Sequence, residues 1–235
     1  MLEITCLASG SSGNAYHITD GHSPLLLEAG IPWKLIQRGL DFQTAGLAGC
    51  LVSHSHQDHC KAVKDAVKTG LDCYMSAPTA EAIGITSHRI KLIEAKRQFA
   101  LGSWTILPFA VEHDVEGALG FLLVSRTGDR CLYLTDTAYC RYRFTGLTHI
   151  MVECNYSLDI LRRNVDEGLV LVELKNRLLK THMSLETVKG FLKANDLSKV
   201  REVWLLHLSD GNSDQDRFKR EIQALTGKPV YIAGS

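Results

Sequence analysis

The fold is decided by one short stretch of the sequence, Ser53-His54-Ser55-His56-Gln57-Asp58-His59. It follows an apolar run that predicts a buried strand and precedes apolar residues at helical spacing. In extended backbone, residues two apart project to the same side, so His54 and His56 can bind one ion. Asp58 and His59 fall where the chain turns into the helix, where they can face a second ion.

The chemistry of these side chains indicates a metal site. Imidazole nitrogens and carboxylate oxygens suit Zn²⁺ or Mn²⁺, and a set without thiolates is not typical of closed structural zinc sites. The alternative is a solvated polar loop whose histidines have no role. Ten histidines in 235 residues rarely place three of them beside an aspartate by chance. The stretch therefore predicts metal binding.

Outward from this stretch, strands and helices alternate along the chain. The predicted strands cover residues 3–7, 15–19, 25–28, 50–53, 73–75, 90–93, 104–109, 119–125, 131–135, 150–153, 203–207 and 230–232. The predicted helices cover residues 32–39, 78–83, 158–163, 170–178, 185–194 and 215–225, with a further helical pattern at 62–67. This order predicts a layered α/β architecture with mixed sheets. No long linker or repeat divides the chain, so we expect a single domain over residues 1–235.

Composition limits the classes of protein that remain. The 26 basic and 26 acidic residues cancel, which argues against a uniformly positive nucleic-acid-binding surface but leaves room for a local basic groove. Seven cysteines without a CxxC pair, and a start without a signal-peptide pattern, predict a reduced, cytoplasmic setting. The longest apolar runs are far shorter than the roughly 20 residues needed to span a bilayer, so we expect no membrane association.

The segment from His54 to His59 resembles the HxHxDH signature of the metallo-β-lactamase superfamily of hydrolases. Residues 7–14, Glu153-Cys154-Asn155, Thr181-His182-Met183-Ser184 and His207-Leu208-Ser209 are similar to motifs of the YycJ (WalJ-type) nucleases, which are related to tRNase Z. The resemblance implies a four-layer αββα sandwich of two mixed β-sheets flanked by helices. It departs at Glu28, where family members commonly have Asp; the longer carboxylate can still hydrogen-bond a histidine of the ligand loop.

The resemblance also implies a dinuclear metal centre built from seven side chains. One ion would bind His54, His56 and His113. The other would bind Asp58, His59 and His207, with Asp136 as the bridge. Taken singly, each of the three distant residues could equally be a surface or core side chain, but each ends a predicted strand. The same ligands accept Zn²⁺, Mn²⁺ or Fe²⁺, so the sequence leaves the native metal open.

The implied chemistry is phosphodiester hydrolysis. Two metal ions about 3.5–4 Å apart can activate a bridging water and clamp the phosphoryl oxygens. Asp58 would orient the nucleophile as a catalytic residue. In tRNase Z-like relatives a histidine backed by a glutamate lies over the scissile phosphate, and His182 and Glu153 resemble that pair. The alternative is that His182 only belongs to the capping region before the helix at 185–194, with Ser184 as the N-cap.

Substrate contacts are predicted at four positions. Arg141 follows Asp136, and its guanidinium suits bidentate phosphate binding, although a solvated surface arginine is an equal alternative. Asn155 belongs to the motif of Glu153. Ser11 and Asn14 lie in a glycine-rich turn whose N–H groups can bind phosphate, although a plain turn explains the same sequence.

The leading hypothesis is a metal-dependent phosphodiesterase, a DNA nuclease of the 5′-to-3′ exonuclease type that uses two divalent ions, Zn²⁺ or Mn²⁺. The alternative is the same chemistry on a cyclic nucleotide or RNA. Weaker alternatives are a β-lactamase or thioesterase and a catalytically silent metal-binding regulatory protein. The expected partner is nucleic acid or a small phosphodiester, and the oligomeric state stays open, a homodimer included.

Overall fold

The computed structural model describes residues 2–234, and their strands form two mixed β-sheets, of six and seven strands, flanked by helices. The strands are β1 (Glu3–Ala8), β2 (Ala15–Thr19), β3 (Leu25–Leu27), β4 (Gly49–Leu51), β5 (Cys73–Met75), β6 (Ile90–Leu92), β7 (Phe99–Leu101), β8 (Trp104–Ala110), β9 (Leu119–Ser125), β10 (Arg130–Leu134), β11 (His149–Glu153), β12 (Glu202–Leu206) and β13 (Val230–Ile232). The helices are α1 (Trp33–Gly39), α2 (Gln57–Cys60), α3 (Val63–Lys68), α4 (Ala77–Ile83), α5 (Leu158–Asp166), α6 (Val172–Thr181), α7 (Leu185–Lys193) and α8 (Gln215–Thr226). The α/β class with mixed sheets is confirmed.

The chain forms two compact units. One contains the residues up to Ala110 together with Val115–Asp129 and Gly234, and the other contains Val111–Asp114 and Arg130–Ala233. We call them the first and the second unit. The expectation of one domain over residues 1–235 stays a prediction.

In the first unit, the six-stranded sheet has the order β1-β2-β3-β4-β5-β6. Its first three strands are antiparallel neighbours, and β3 to β6 run parallel. The three leucines of β3 are fully buried, as expected of a short apolar strand inside a parallel sheet. Parallel strands end at the same edge, so the residues after β3 and β4 lie together there. The backbone N–H of Glu28 accordingly donates to the carbonyl of Leu51 at 2.9 Å.

The first unit also contains the antiparallel strands β7, β8 and β9. Trp104 of β8 is buried, and its indole N–H donates to the carbonyl of Ser23 at 2.7 Å. The sequence did not predict β7, because three residues are too few for a periodic signal. Leu119 of β9 donates its backbone N–H to the carbonyl of Ser53 at 3.0 Å, which fixes the start of the HxHxDH segment.

In the second unit, strands β10, β11, β12 and β13 are parallel neighbours in that order. Their register places Leu134 beside Val152 and Glu153 beside Leu206. The carboxyl ends of β10, β11 and β12 therefore lie at one edge, the place where open α/β sheets carry their sites. The chain continues from these ends into Asp136, Cys154 and His207.

The largest difference from the predicted elements falls at the HxHxDH segment. The strand predicted over residues 50–53 ends at Leu51, because the backbone N–H of Ser53 leaves the sheet and donates to the carboxylate of Glu28 at 3.1 Å. The helical pattern that follows is divided between α2 and α3, and Asp58 and His59 lie within α2. Within residues 2–234, none of the helices combines the length and apolar character that crossing a bilayer requires.

Candidate active site

The first unit holds His54 and His56 with their ring nitrogens facing each other. His54 follows β4, and its Nδ1 lies 2.8 Å from the hydroxyl oxygen of Ser53, which fixes the ring. Its Nε2 lies 3.2 Å from Nδ1 of His56. Two nitrogens bound to one tetrahedral Zn²⁺ at about 2.0–2.1 Å are themselves roughly 3.3 Å apart. The two imidazoles thus fit a shared metal ion.

Asp58 and His59, the other two predicted ligands of the first unit, lie in helix α2. His59 is fully buried, and its Nε2 lies 3.5 Å from Oδ2 of Asp58. On the other side of the ring, Nδ1 lies 3.6 Å from Oε2 of the buried Glu28. Because that same oxygen accepts the backbone N–H of Ser53, Glu28 connects two ligand-bearing segments. Glu28 thus hydrogen-bonds the backbone before His54, whereas its 3.6 Å distance from His59 is longer than the hydrogen bond to a histidine that the sequence allowed.

The glycine-rich turn between β1 and β2 packs against Asp58 and His59. Asn14 is buried, and its carboxamide bonds both backbone groups of Gly10, the carbonyl of Asp58 at 3.2 Å and Nε2 of His59 at 3.1 Å. A Cβ on Gly30 would lie 1.7 Å from the carbonyl oxygen of Asp58, so only glycine fits there. Asn14 thus contacts the predicted ligand His59 from the buried side, whereas Ser11 lies on the surface. The substrate role of both residues stays a prediction.

In the second unit, Asp136 lies between two histidines. Its Oδ2 is 3.9 Å from Nε2 of His113 and 4.0 Å from Nε2 of His207. Both distances exceed a hydrogen bond. The three side chains thus converge without bonding one another directly, and the role of Asp136 as a bridging ligand stays a prediction. Burial lowers the pKa of His113 in spite of the opposing charges of Asp136 and Asp114, which favours the neutral imidazole that binds metal.

Three of the predicted side chains sit on backbone in the left-handed region. Glu28, Asp136 and His207 have φ values of 64°, 40° and 52°, and each follows the end of a strand. This conformation costs a non-glycine residue on the order of 1–3 kcal/mol and is concentrated at functional sites. The hydroxyl of Thr135 further fixes Asp136 by donating to its Oδ1 at 2.7 Å. The turn after each strand therefore directs a buried polar side chain at the sheet edge.

His182 and Glu153 form a buried pair beside Asp136 and His207. Glu153 ends β11, its Oε1 bonds Nδ1 of His182, and its Oε2 accepts the backbone N–H groups of Thr137 at 3.2 Å and Met183 at 3.1 Å. Potential ligand atoms of Asp136, Glu153, His182 and His207 lie within 4.8 Å of one another.

Two opposing effects act on the pKa of His182. Burial would lower it, but the charge and hydrogen bond of Glu153, together with the charge of Asp136, raise it to about 9. The pair therefore holds a proton at the sheet edge at neutral pH. His182 also ends α6, and Ser184 caps α7 by accepting the backbone N–H of Thr187 at 3.1 Å. The N-cap role expected of Ser184 is confirmed, and a catalytic role for His182 stays a prediction.

The two remaining substrate predictions fall in different surroundings. Asn155 is buried and donates to the carbonyl of His207 at 2.8 Å, with its amide nitrogen 3.0 Å from Nδ1 of the same residue. It therefore positions a predicted ligand. Arg141 is exposed and forms an ion pair with Glu112. A substrate role for either residue stays a prediction.

Two orienting partners escaped the sequence analysis. Nδ1 of His54 contacts Ser53, and Nδ1 of His113 lies 3.1 Å from the carbonyl of Thr181. At these two histidines the partner at Nδ1 leaves Nε2 as the potential ligand atom. Nδ1 of His59 lies 3.6 Å from Oε2 of Glu28, and Nδ1 of His207 lies 3.0 Å from the amide nitrogen of Asn155. Ser53 has a signal in the sequence, because it directly precedes His54. A backbone carbonyl such as that of Thr181 has none.

Comparison with known proteins places these residues in a family. The family described as "Beta-lactamase superfamily domain" matches residues 32–208, a segment that contains every predicted ligand from His54 to His207. The exodeoxyribonuclease WalJ of Streptococcus pneumoniae serotype 2 (strain D39 / NCTC 7466) is 29% identical over 228 residues, covering 90% of this chain and 83% of the relative.

Two solved structures share the fold over the whole chain. The metallo-β-lactamase fold protein YhfI from Bacillus subtilis has a TM-score of 0.76 at 16% identity, with 100% of this chain and 97% of that chain covered. The short form of human tRNase Z has a TM-score of 0.65 at 12% identity, with 100% and 97% covered. At these identities the likeness concerns the fold, and it confirms the expected metallo-β-lactamase architecture.

Proposed function

The chain belongs to the β-lactamase superfamily, and from that premise we propose that it is a metal-dependent phosphodiesterase that acts on DNA as a 5′-to-3′ exonuclease. The relative named exodeoxyribonuclease WalJ supports DNA as the substrate. The observation that carries the proposal is the buried pair of Glu153 and His182 beside Asp136. Cleavage of a phosphodiester releases a poor leaving group, an alkoxide that has to take up a proton. A protonated imidazole beside the predicted metal ligands can donate that proton.

The proposed ligand assignment follows the family pattern. His54, His56 and His113 would bind one divalent ion, and Asp58, His59 and His207 the other, with Asp136 shared between them. The spacing of the His54 and His56 nitrogens and the neutral state favoured at His113 support zinc or manganese ligation. Bound there, the ions would lower the pKa of a water nucleophile and neutralise charge on the phosphoryl oxygens.

The protein's own residues perform the remaining steps. Asp58 orients the attacking water. Glu153 holds Nδ1 of His182 and keeps the imidazole charged, so that its Nε2 donates the proton that the leaving oxygen takes up. Asn155 and Asn14 hold the rings of His207 and His59. Arg141, exposed near Asp136 in sequence, binds a phosphate of the substrate, and Ser11 offers a further surface contact.

A small phosphodiester or RNA is the second candidate substrate. The net charge of zero favours the small phosphodiester, because a long polyanion, DNA or RNA alike, needs a positive track. We also propose a cytoplasmic location, which the free state of all seven cysteines supports.

A substrate panel tests the proposed function. Purified protein loaded with Zn²⁺ or Mn²⁺, or stripped with EDTA, is incubated with 5′-phosphorylated linear DNA, RNA, cyclic nucleotides and bis-p-nitrophenyl phosphate. We expect DNA to be shortened from its 5′ end only with metal present, and Asp58→Asn to abolish this. Asp65→Asn, on the exposed surface of the next helix, is the matched control and should keep wild-type activity. No cleavage of any phosphodiester would overturn the proposal.

Metal content tests the dinuclear assignment separately. Elemental analysis of the purified protein should give two ions per chain, and His113→Ala or His207→Ala should reduce the count to about one. A wild-type protein that holds a single ion at saturation would contradict the second ligand assignment but not the hydrolytic activity.

A further inference from the structure

The segment of residues 137–144 directly follows Asp136 and is fixed to the segment that carries His113. The hydroxyl of Thr137 donates to the carbonyl of Tyr139 at 2.9 Å and accepts the backbone N–H of Glu112 at 3.0 Å. The backbone N–H of Ala138 donates to the carbonyl of Glu112 at 3.0 Å. Hydrogen bonds of the main chain thus hold the start of this loop in one conformation next to two predicted metal ligands.

Tyr139 projects from this fixed backbone into solvent. Its side chain is 59% exposed, whereas Tyr133 on the preceding strand is fully buried. Single exposed apolar residues are ordinary on protein surfaces. Here, however, the exposed ring is three residues from the predicted bridging ligand, and its main chain is ordered by the contacts of Thr137. A flat, pre-positioned aromatic face is what a nucleobase stacks on.

Two arginines form ion pairs with the residues that directly precede and follow His113 in the sequence. Glu112 forms an ion pair with Arg141, and Oδ2 of Asp114 lies 3.1 Å from Nε of Arg177. The guanidinium side chains remain 65% and 57% exposed. A guanidinium has five N–H donors, and one carboxylate engages at most two, so each arginine is held in place while further donors face solvent.

From these contacts we propose that Tyr139, Arg141 and Arg177 form a binding surface for single-stranded DNA. An unpaired base stacks on the ring of Tyr139, and the two arginines bind backbone phosphates. The inference rests on the proposed function and adds to it the form of the substrate. In a duplex the base faces are stacked on one another and unavailable, so an exposed aromatic ring selects an unpaired strand. The surface is local and therefore consistent with a net charge of zero.

A binding measurement without metal tests the stacking contact apart from catalysis. The full-length protein is stripped with EDTA, and the anisotropy of a fluorescein-labelled oligothymidine reports its Kd. We expect Tyr139→Ala to weaken binding by about tenfold or more, in line with the loss of one stacked base. Tyr139→Phe keeps the ring and should bind within about twofold of wild type. Phe42→Ala removes an aromatic side chain that is 71% exposed in the first unit and is the matched control.

The arginines are tested by the salt dependence of the same Kd. Each of Arg141→Gln and Arg177→Gln should raise the Kd and reduce the slope of log Kd against log salt by about one counterion. Arg126→Gln is the matched control, because Arg126 is exposed but lies outside the proposed surface, and it should leave the slope unchanged.

The outcomes separate this inference from the proposed function. Equal Kd values for wild type and Tyr139→Ala, or an equal loss for labelled duplex and single strand, would overturn the inference. If wild type hydrolyses bis-p-nitrophenyl phosphate while Tyr139→Ala binds oligothymidine with the wild-type Kd, only the inference fails. If binding depends on Tyr139 but no phosphodiester is cleaved, only the proposed function fails.

Discussion

The predicted ligands of the first unit lie within one short stretch of sequence, whereas those of the second unit come from separate segments. In the first set, His54 to His59 follow one strand and enter one helix. In the second set, Asp136 and His207 are joined only through the register of parallel strands, and His113 reaches them from another segment. The first set is therefore encoded locally, while the second depends on the packing of the whole second unit.

The two sets also differ in how their histidines are oriented. Around the first set the partners are side chains, namely Ser53, Glu28 and Asn14. Around the second set a backbone carbonyl orients His113, and the polar ends of Glu153 and Asn155 hold His182 and His207. Two of its members have, in addition, left-handed backbone. We expect the second set to be the more sensitive to substitution.

Substitution of the shared carboxylate should have the largest effect. Asp136→Asn removes the negative charge that His113 and His207 both face, and we expect kcat/KM on bis-p-nitrophenyl phosphate to fall by more than the roughly 10–100-fold typical of a lost orienting partner. Metal content should fall with it. Asp166→Asn, an exposed carboxylate of α5, is the control. A variant with two bound ions and full activity would refute the bridging role.

Loss of the proton donor should come next. His182→Asn should lower kcat by about 10²–10⁴-fold while metal content stays near wild type, because the imidazole donates a proton rather than binding an ion. Unchanged kcat would remove His182 from the mechanism.

The charge of Glu153 is tested by titration of the same imidazole. In metal-free protein, NMR should show His182 titrating near pH 9, above its ordinary value of 6.5, so that the charged form is complete below that value and is lost as the pH rises through 9. Glu153→Gln leaves burial as the main effect and should lower the pKa of His182 below 6.5. A His182 pKa that stays near 9 in this variant would show that Glu153 is not the cause.

A substitution at Gly30, which contacts the backbone of Asp58, should displace the predicted ligands of helix α2. Gly30→Ala places a methyl group against the carbonyl of Asp58, so helix α2 has to move. We expect overpacking to cost about 1–3 kcal/mol of unfolding free energy and to weaken metal binding in proportion to the displacement of Asp58 and His59. Gly46→Ala, where an added Cβ meets nothing within 4 Å, should leave both unchanged. Calorimetric melting and metal titration measure the two effects.

The smallest expected effects compare the two sets directly. Asn14→Ala loosens His59, and Asn155→Ala loosens His207, and each should weaken metal affinity by about 10–100-fold. If the second set is the more sensitive, Asn155→Ala will have the larger effect in a competitive metal titration. A larger loss in Asn14→Ala would reverse the comparison.

Most of the elements that carry the site were accessible from local patterns. The strand of residues 119–125 and the short strands at 73–75 and 230–232 are confirmed with their predicted bounds. Failures lie where a tertiary contact outweighs the pattern. Ser53 leaves its predicted strand because Glu28 takes its N–H, and β7 is too short to have a signal of its own.

The sequence by itself determined the ligand types, the HxHxDH set and the order of strands and helices, because side-chain periodicity and the spacing of neighbours are local properties of the chain. Only the tertiary structure decided that Asn14 and Asn155 contact the predicted ligands His59 and His207, that Glu153 bonds His182, and that Tyr139 is exposed. These pairings depend on which strands are neighbours and in what register. Long-range packing sets both, so residues that are distant in sequence carry no local sign of it.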